Sequence, residues 1–346
     1  MRVAIVNDMQ LTREALRRVV ESQPGYQVAW MAENGEVAVR LARQDRPDVI
    51  LMDLVMPVLN GVDAIQQIMR ANPCPILVVT ATVSGNYPLV LQAMGQGAVD
   101  AVQTPQIGMD GKVSGQEDLL HRLLRLERSA KYRGPDGQSS LLKPPDSVNI
   151  DNPLPPMVAI GASTGGPEAV ARILGAMPPD IGVPFVVIQH ISSEFGSNFV
   201  HWLRTRTKLT VEAARENDQP RPGVVHVAVT DDHLVLGPNR YFKYTPDPVD
   251  DPFRPSVNAC FSSLCTRYRV PGVAVLLTGM GADGAKGLGQ LRKAGWFTIA
   301  QDESTSVVYG MPKAAAETNA ACRIMPIGQI AGAILTHLAS AKKSPA

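Results

Sequence analysis

The chain has 346 residues, with 33 lysines and arginines against 32 aspartates and glutamates and a formal net charge of +1 at pH 7. This length favours about two domains, and the balanced charge gives no electrostatic case for a nucleic-acid-binding protein. The 4 cysteines form no Cys-x-x-Cys pair, so we expect a reducing, cytoplasmic setting. No apolar stretch approaches the roughly 18 residues that a membrane span needs, so we expect no spanning segment.

The first 127 residues alternate short apolar runs with helix-length segments. The predicted strands are 3–6, 27–31, 49–52, 76–79 and 99–102, and the predicted helices begin near Leu11, Glu36, Gly61, Tyr87 and Gln116. Five successive βα units predict a flavodoxin-like domain with a five-stranded parallel sheet and helices on both faces. We predict this domain over residues 1–127.

Two further segments are predicted after the first domain. Residues 128–152 are rich in glycine, proline, serine and aspartate, a composition that cannot bury a core and indicates an interdomain linker. From residue 153 to the end at 346, a second α/β alternation predicts a doubly wound domain with a mostly parallel sheet, interrupted by a β-rich stretch near 224–244.

Polar side chains follow the predicted strands of the first domain. Asp8 comes after the first strand, Asp53 after the third and Thr80 at the end of the fourth. In a sheet of order 2-1-3-4-5 the first and third strands are neighbours, so the two carboxylates meet at the switch point. Two carboxylates at such an edge suit Mg²⁺, and Thr80 could hydrogen-bond a phosphoryl group. Taken singly, each aspartate is better explained as a cap of the following helix.

Three residues of the second half could form a hydrolytic triad. Ser163 lies in Gly-Ala-Ser-Thr-Gly directly after an apolar strand, a pattern that lifts a hydroxyl to the carboxyl edge of a sheet. His190 ends the next buried strand, and Asp283 follows a later one. The order Ser, His, Asp differs from that of the α/β-hydrolases, but triads are defined by geometry and role. From the sequence alone His190 is as well explained by a strand-ending role as by a catalytic one.

A dinucleotide-binding fingerprint competes with this interpretation. Residues 279–284 spell Gly-x-Gly-x-x-Gly between a predicted strand and a predicted helix, and Asp302 and Glu303 follow about 20 residues on. The fingerprint normally occupies the first βα turn of its domain, whereas this unit comes late. A cofactor site would also leave Ser163 and His190 without a role.

The remaining histidines show no metal-ligand spacing to cysteines or carboxylates, so we predict structural or surface roles for them. They are His121, His201, His226, His233 and, in an apolar C-terminal segment, His337.

Residues 1–127 resemble the receiver domains of bacterial response regulators. The matching runs are 5–8, 49–57 with Asn60-Gly61, 78–81 and Thr104-Pro105. The resemblance implies that Asp53 accepts a phosphoryl group from a CheA-like histidine kinase, that Asp8 and Asp53 help to hold Mg²⁺, and that Thr80 senses the phosphoryl group. The family usually has an acidic residue in place of Asn7 and a lysine in place of Thr104, so we expect weaker Mg²⁺ binding and a lost cation partner for the acyl phosphate.

The second half resembles the catalytic domain of the chemotaxis protein-glutamate methylesterases (CheB). The matching runs are 160–166, Gln189-His190, 254–257, 277–284, 299–301 and 309–312. The runs 6–9 and 100–105 resemble the Wsp-type methylesterases of surface-sensing systems more closely than they resemble other members of the family. Asn258 replaces a common aspartate, a change that we expect to affect the surface more than the chemistry.

The resemblance implies hydrolysis of glutamate methyl esters on methyl-accepting chemoreceptors, with a further deamidase activity and no cofactor for either. Ser163 would be the nucleophile, His190 the base and Asp283 its partner, with Thr164 and Met280 in oxyanion or positioning roles. We expect phosphorylation of the receiver to gate the hydrolase. A non-catalytic scaffold that binds receptors is the competing class, whereas a DNA-binding output is disfavoured because no basic recognition helix follows the receiver.

Overall fold

The computed structural model describes residues 1–81, 87–108, 113–131 and 155–341, the side chains of 129–131 and 341 excepted. The chain divides into two compact units, Met1–Lys131 and Tyr132–Ala346. Within the described part, each helix is too short or too polar to cross a membrane.

The first unit is a five-stranded parallel sheet of order β2-β1-β3-β4-β5. Its strands are β1 (Arg2–Val6), β2 (Gln27–Ala32), β3 (Val49–Met52), β4 (Ile76–Thr80) and β5 (Asp100–Gln103). Its helices are α1 (Gln10–Glu21), α2 (Gly35–Gln44), α3 (Gly61–Ala71), α4 (Tyr87–Gln96) and α5 (Gln116–Lys131). The predicted fold, strand order and element starts are confirmed, with bounds that differ by a residue or so.

Buried branched side chains explain why these strands form a central sheet. Strands β1, β3 and β4 are covered on both faces, so nearly all of their residues are apolar rather than alternating. Asn34 and Asn60 cap α2 and α3 by accepting hydrogen bonds from the backbone N–H groups of Val37 and Asp63. A short antiparallel pair that the sequence did not suggest, β6 (Gln106–Ile107) with β7 (Val113–Ser114), precedes α5.

The second unit contains a seven-stranded sheet of order β10-β11-β9-β8-β14-β15-β16, parallel in every pair. The strands are β8 (Val158–Ala162), β9 (Phe185–Gln189), β10 (Thr210–Ala213), β11 (Val224–Val227), β14 (Val273–Leu276), β15 (Phe297–Gln301) and β16 (Arg323–Met325). The helices are α6 (Gly166–Gly175), α7 (Ser193–Arg204), α8 (Val257–Arg267), α9 (Ala285–Lys293), α10 (Met311–Glu317) and α11 (Ile327–Ala341).

The predicted β-rich interruption divides into two parts. Strand β11 joins the main sheet, whereas β12 (His233–Leu236) and β13 (Phe242–Thr245) form a separate antiparallel hairpin. Leu234, Leu236 and Phe242 of this hairpin are buried in the same core as α8 and α9. The hairpin therefore packs on the domain core and brings the start of β12 close to the start of α8.

The segment predicted as a linker is only partly described. Helix α5 continues to Lys131, so residues 128–131 are helical, and 132–154 lie outside the described residues. The predicted domain bounds 1–127 and 153–346 therefore stay predictions.

Candidate active site

Ser163 directly follows β8 at the carboxyl edge of the second sheet. Its N–H donates to the carbonyl of Thr278, at 3.0 Å, and its carbonyl accepts from Gly166 N, at 2.7 Å, where α6 begins. Gly165 precedes that helix with φ +77°, a left-handed conformation that glycine adopts without steric cost. This sharp strand-to-helix turn leaves the Ser163 side chain half-buried and accessible at the sheet edge.

His190 occupies the corresponding position on the neighbouring strand. Ala162 pairs with Gln189 at the ends of β8 and β9, and His190 N donates to Ala162 O at 3.0 Å. The next residue along each strand is Ser163 and His190, and paired parallel strands lie about 4.8 Å apart. The sequence prediction that these two residues share one sheet edge is therefore met by the strand register.

Gln189 connects the backbones of the two candidate catalytic residues. Its side-chain Nε2 donates to Ser163 O at 2.8 Å and to His190 O at 3.1 Å. The Gln189 side chain is buried, so this bridge is shielded from water and fixes the ends of β8 and β9 relative to each other. In the sequence, Gln189 is only part of a matching run and carries no signal of this role.

Asp283 completes the arrangement by binding the imidazole of His190. His190 Nε2 lies 2.8 Å from Asp283 Oδ2, and the Phe253 ring stacks on the imidazole with centroids 4.9 Å apart and planes 15° apart. Because Asp283 occupies Nε2, Nδ1 is the ring nitrogen that remains for the serine proton. Within residues 155–341 no hydrogen bond joins Ser163 Oγ to the imidazole, and such contacts often tighten only when substrate binds.

The Asp283 carboxylate lies against the N-terminus of α8, only 2% exposed. It accepts hydrogen bonds from four groups besides His190: Val257 N at 2.7 Å, Gly284 N at 2.9 Å, Asn258 N at 3.0 Å and Ser256 Oγ at 3.1 Å. Burial by itself would raise the pKa of this carboxyl, but the His190 hydrogen bond and charge and the backbone N–H groups outweigh it and hold the pKa below its ordinary value. Asp283 is therefore ionised at neutral pH.

The start of α8 is the functional feature that the sequence analysis missed. Ser256 is its N-cap, since its hydroxyl accepts from Ala259 N, and Pro255-Ser256 before an apolar run is a recognisable helix-start signal. Asn258 also lies at this helix start, and the expected effect of asparagine in place of aspartate stays a prediction. Its backbone N–H binds Asp283, and its side-chain Oδ1 accepts from Gly287 N at 2.8 Å, so it joins α8 to α9 beside the site.

Thr164 and Met280 lie in the two turns that border Ser163. Thr164 is buried, its carbonyl accepts from Thr278 Oγ1 at 2.8 Å, and its own Oγ1 has no hydrogen-bond partner among the described residues. Met280 is half-buried between Gly279 and Gly281. A Cβ added to Gly279 would lie 2.7 Å from Ser163 Cβ, so this loop passes directly beside the serine.

The dinucleotide fingerprint serves a different purpose in this fold. Its Asp283 is bound to His190 and to α8, and its Gly281 and Gly284 adopt positive φ to turn from β14 into α9. Asp302, the candidate ribose-binding residue, accepts hydrogen bonds from Ser304 Oγ and Thr305 Oγ1 in its own turn. These glycines therefore allow the turns of the loop that carries Asp283.

The other histidines lie at buried or surface positions outside the candidate triad. His337 stacks on Phe297 with ring centroids 4.6 Å apart, and His226 is fully buried. No group of three or more histidine, cysteine or acidic side chains suited to a metal ion occurs in the described ranges.

The receiver unit brings Asp53 together with Asn7. Asn7 Nδ2 donates to Asp53 Oδ2 at 2.8 Å, while Leu54 N donates to Oδ1 at 2.7 Å. Burial and the nearby Asp8 charge raise the pKa of Asp53, against the backbone N–H groups of Leu54 and Val55. Thr80 is buried at the end of β4, next in the sheet to β3, which Asp53 follows.

The residues at this edge fit a magnesium site of low ligand count. Asp8 and Asp53 supply two carboxylates close enough for Asp8 to raise the pKa of Asp53, a repulsion that a cation would relieve. Asn7 cannot readily turn its oxygen towards a cation, because Oδ1 accepts from Met9 N at 2.9 Å.

Comparisons with known proteins agree with these two units. Residues 158–334 match the CheB methylesterase family and residues 3–107 match the response regulator receiver domain. A protein-glutamate methylesterase/protein-glutamine glutaminase of Burkholderia orbicola is 45% identical over 333 residues, 96% of this chain and 98% of that protein. One of Mesorhizobium japonicum is 46% identical over 337 residues, 97% of this chain and 98% of that protein.

A solved structure extends the comparison to the fold. The crystal structure of the Thermotoga maritima CheB methylesterase catalytic domain is 31% identical, with a TM-score of 0.50, and the match covers 53% of this chain and 98% of that one. The parallel sheet of the second unit and the preceding receiver unit agree with these similarities. The chain therefore belongs to the CheB methylesterase family and carries a response regulator receiver domain ahead of its hydrolase domain.

Proposed function

We propose that this protein hydrolyses glutamate methyl esters on methyl-accepting chemoreceptors through a triad of Ser163, His190 and Asp283. The observation that carries the proposal is the hydrogen bond from His190 Nε2 to the buried Asp283, on the strand next to the one that ends at Ser163. An ionised carboxylate that orients an imidazole beside an accessible serine is the arrangement that activates a hydroxyl nucleophile.

The reaction follows from the hydrogen-bonding roles of the three residues. Ser163 Oγ attacks the ester carbonyl carbon while His190 Nδ1 takes the hydroxyl proton, and the proton then passes to the methoxy oxygen, which leaves as methanol. Water repeats the sequence on the acyl-serine and releases the glutamate carboxylate and free Ser163. Asp283 stays ionised throughout and stabilises the imidazolium in each half-reaction.

Charge that develops on the carbonyl oxygen needs nearby donors. We assign this role to the Met280 backbone N–H, since its loop passes beside Ser163, and a positioning role to the buried Thr164. One such donor contributes about 3 kcal/mol to transition-state stabilisation in comparable hydrolases.

The same acyl-serine can form from a glutamine side chain, with ammonia as the leaving group in place of methanol. The names of the relatives include a protein-glutamine glutaminase activity, and a deamidase activity is therefore part of this proposal. Neither reaction requires a cofactor in the mechanism above.

The receiver supplies the regulatory input in this proposal. A CheA-like histidine kinase donates a phosphoryl group to Asp53, with Asp8 and Asp53 as the protein ligands of Mg²⁺ and Thr80 as the sensor of the phosphoryl group. Bound Mg²⁺ would neutralise charge on the transferred phosphoryl group. Assignment to the Wsp-type subgroup stays a prediction.

Methanol release from methylated receptor membranes tests the triad. Ser163→Ala and Asp283→Asn should each lose about 10⁴-fold or more in turnover while wild type is active. Ser163→Ala should unfold at the wild-type temperature, because it removes only a hydroxyl. Asp283→Asn should also lose stability, because an amide offers one acceptor oxygen to a pocket of N–H donors. Full activity of Ser163→Ala would contradict the mechanism, whereas no methanol release from wild type would favour a receptor-binding role.

A further inference from the structure

A second histidine, His233, lies behind the Asp283 pocket. It is the first residue of β12 and is 0% exposed. Its Nδ1 lies 3.0 Å from Ser256 N, and its Nε2 lies 3.2 Å from Pro248 O. A backbone N–H can only donate and a carbonyl can only accept, so the two partners together require a neutral imidazole with its proton on Nε2.

The surroundings of His233 agree with this neutral form. Burial lowers the pKa of His233, assisted by the Arg254 charge, while the Pro248 carbonyl and the carboxylates of Asp251 and Asp283 act in the opposite direction. A proton on Nδ1 would point at the Ser256 N–H and would break that hydrogen bond. The imidazole therefore serves as a fixed acceptor for Ser256.

Ser256 connects this imidazole to the candidate catalytic carboxylate. Its N–H is held by His233, and its hydroxyl donates to Asp283 Oδ1 at 3.1 Å. The next two amides, of Val257 and Asn258, donate to the same carboxylate. His233 thus fixes the residue at which α8 begins, and the first turn of α8 holds Asp283.

We infer that His233 is a positioning residue for the hydrolytic reaction, acting through Ser256 and the start of α8 on Asp283 and hence on His190. This inference rests on the proposed function. It assigns a role to a residue for which the sequence predicted only a structural or surface one. A displacement of about 1 Å in such a constellation can cost about 100-fold in rate.

Three substitutions separate the acceptor role from simple packing. His233→Asn can place its Oδ1 where Nδ1 lies and still accept from Ser256 N. His233→Leu fills much of the volume but leaves that N–H unpaired, and His233→Gln keeps a polar group towards Pro248 without an acceptor at the Nδ1 position. If the leucine variant does not fold, the Asn–Gln pair makes the same comparison.

His226 provides a matched control in the same domain. It is also 0% exposed, and its Nε2 accepts from a backbone N–H, that of Arg221 at 3.1 Å. Its ring packs on Phe242, with centroids 5.1 Å apart. His226→Leu therefore removes a buried imidazole acceptor that does not bind the residues holding Asp283.

Two readouts are measured on the full chain at equal folded concentration, established by thermal unfolding. One is kcat and KM for methanol release from methylated receptor membranes. The other is the rate at which a sulfonyl fluoride reacts with Ser163. In this reaction a bond forms between sulfur and Ser163 Oγ, fluoride leaves, and the hydroxyl proton passes to His190. The second readout reports serine activation without receptor binding.

We expect His233→Leu and His233→Gln to lower kcat and the sulfonylation rate roughly 10-fold to 100-fold, with KM unchanged within about twofold. His233→Asn should recover most of the loss, and His226→Leu should match wild type in both readouts. Wild-type rates in His233→Leu and His233→Gln would overturn the inference, as would equal losses in His226→Leu, no rescue by asparagine, or a change confined to KM. Failure of wild-type Ser163 to react, with Ser163→Ala fully active, would overturn the proposed function instead.

Discussion

At the scale of single residues, Asn7 changes the character of the proposed phosphoacceptor site. Its Oδ1 is held by Met9 N, and its Nδ2 therefore faces Asp53 Oδ2. A neutral donor thus stands where a carboxylate would add a negative ligand. The resting site stabilises Asp53 with an amide hydrogen bond, and the carboxylates of Asp8 and Asp53 are the proposed ligands of Mg²⁺.

We predict that Asn7→Asp binds Mg²⁺ more tightly than wild type, by roughly tenfold or about 1.4 kcal/mol, because it adds a charged oxygen ligand and removes the competing donor. Calorimetric titration of the full chain with Mg²⁺ measures this directly. Asn34→Asp is the control, since Asn34 caps α2 and its oxygen accepts from Val37 N, a role that aspartate can keep. Equal Mg²⁺ affinity in wild type and Asn7→Asp would show that Asn7 does not limit the site.

At the scale of elements, the start of helix α8 both packs within the domain and binds the carboxylate of Asp283. Its N-terminal N–H groups have no partner within the helix and would need one elsewhere. Asp283 meets that need from the loop before α9, and the positive end of the helix dipole favours the ionised carboxylate. The same contacts that cap the helix thereby keep the imidazole partner charged.

We predict that Ser256→Ala lowers the free energy of unfolding by about 1–2 kcal/mol, because it removes the N-cap of α8, and lowers kcat, because Asp283 Oδ1 loses a donor. Chemical denaturation and methanol release measure the two effects.

Ser263→Ala is the matched control. Ser263 is also buried in α8, where its hydroxyl binds Leu236 N and Cys260 O and does not contact Asp283. It should lose stability and keep its kcat, and an equal fall in kcat in both variants would contradict the prediction.

At the scale of the whole molecule, the two units have separate cores and separate sites. The receiver core is formed by β1, β3 and β4 with α1 and α5, and the hydrolase core by the second sheet with α8 and α9. Two cores of this kind allow one unit to be changed without unfolding the other. The proposed regulation through Asp53 can therefore be tested apart from the proposed chemistry at Ser163.

We predict that Asp53→Asn abolishes stimulation of methanol release by a small-molecule phosphodonor with Mg²⁺ and leaves the unstimulated rate at the wild-type value. Asparagine cannot form the acyl phosphate, and the triad lies in the other unit. Asp63→Asn, at the start of α3, should remain stimulated. Stimulation that persists in Asp53→Asn would place the phosphoryl group elsewhere.

Deletion of residues 1–140 tests how the receiver acts. If the unphosphorylated receiver occludes the Ser163 edge, the truncated chain should show at least the phosphodonor-stimulated rate without any donor. Unchanged or lower activity would contradict occlusion.

Local pattern was sufficient for most of the fold and for candidate triad residues, whereas the catalytic role of His190 needed the family resemblance. The apolar runs and turn residues gave both sheets, because strand burial and helix starts depend on neighbours a few residues away. Ser163, His190 and Asp283 were recognisable because each follows a buried strand, and strand ends share an edge in any parallel sheet. The pairing of Ala162 with Gln189 agrees with that expectation.

The contacts around Asp283 were beyond the reach of the sequence. The carboxylate is linked to Ser256 at a separation of 27 residues, and Ser256 to His233 at 23. No local periodicity encodes such pairings, since they depend on how α8 and the β12–β13 hairpin pack on the core. The sequence by itself determined which residues could do the chemistry. Only the tertiary structure decided which ring nitrogen of His190 binds Asp283, which donors keep Asp283 ionised and which buried histidine contacts the start of α8.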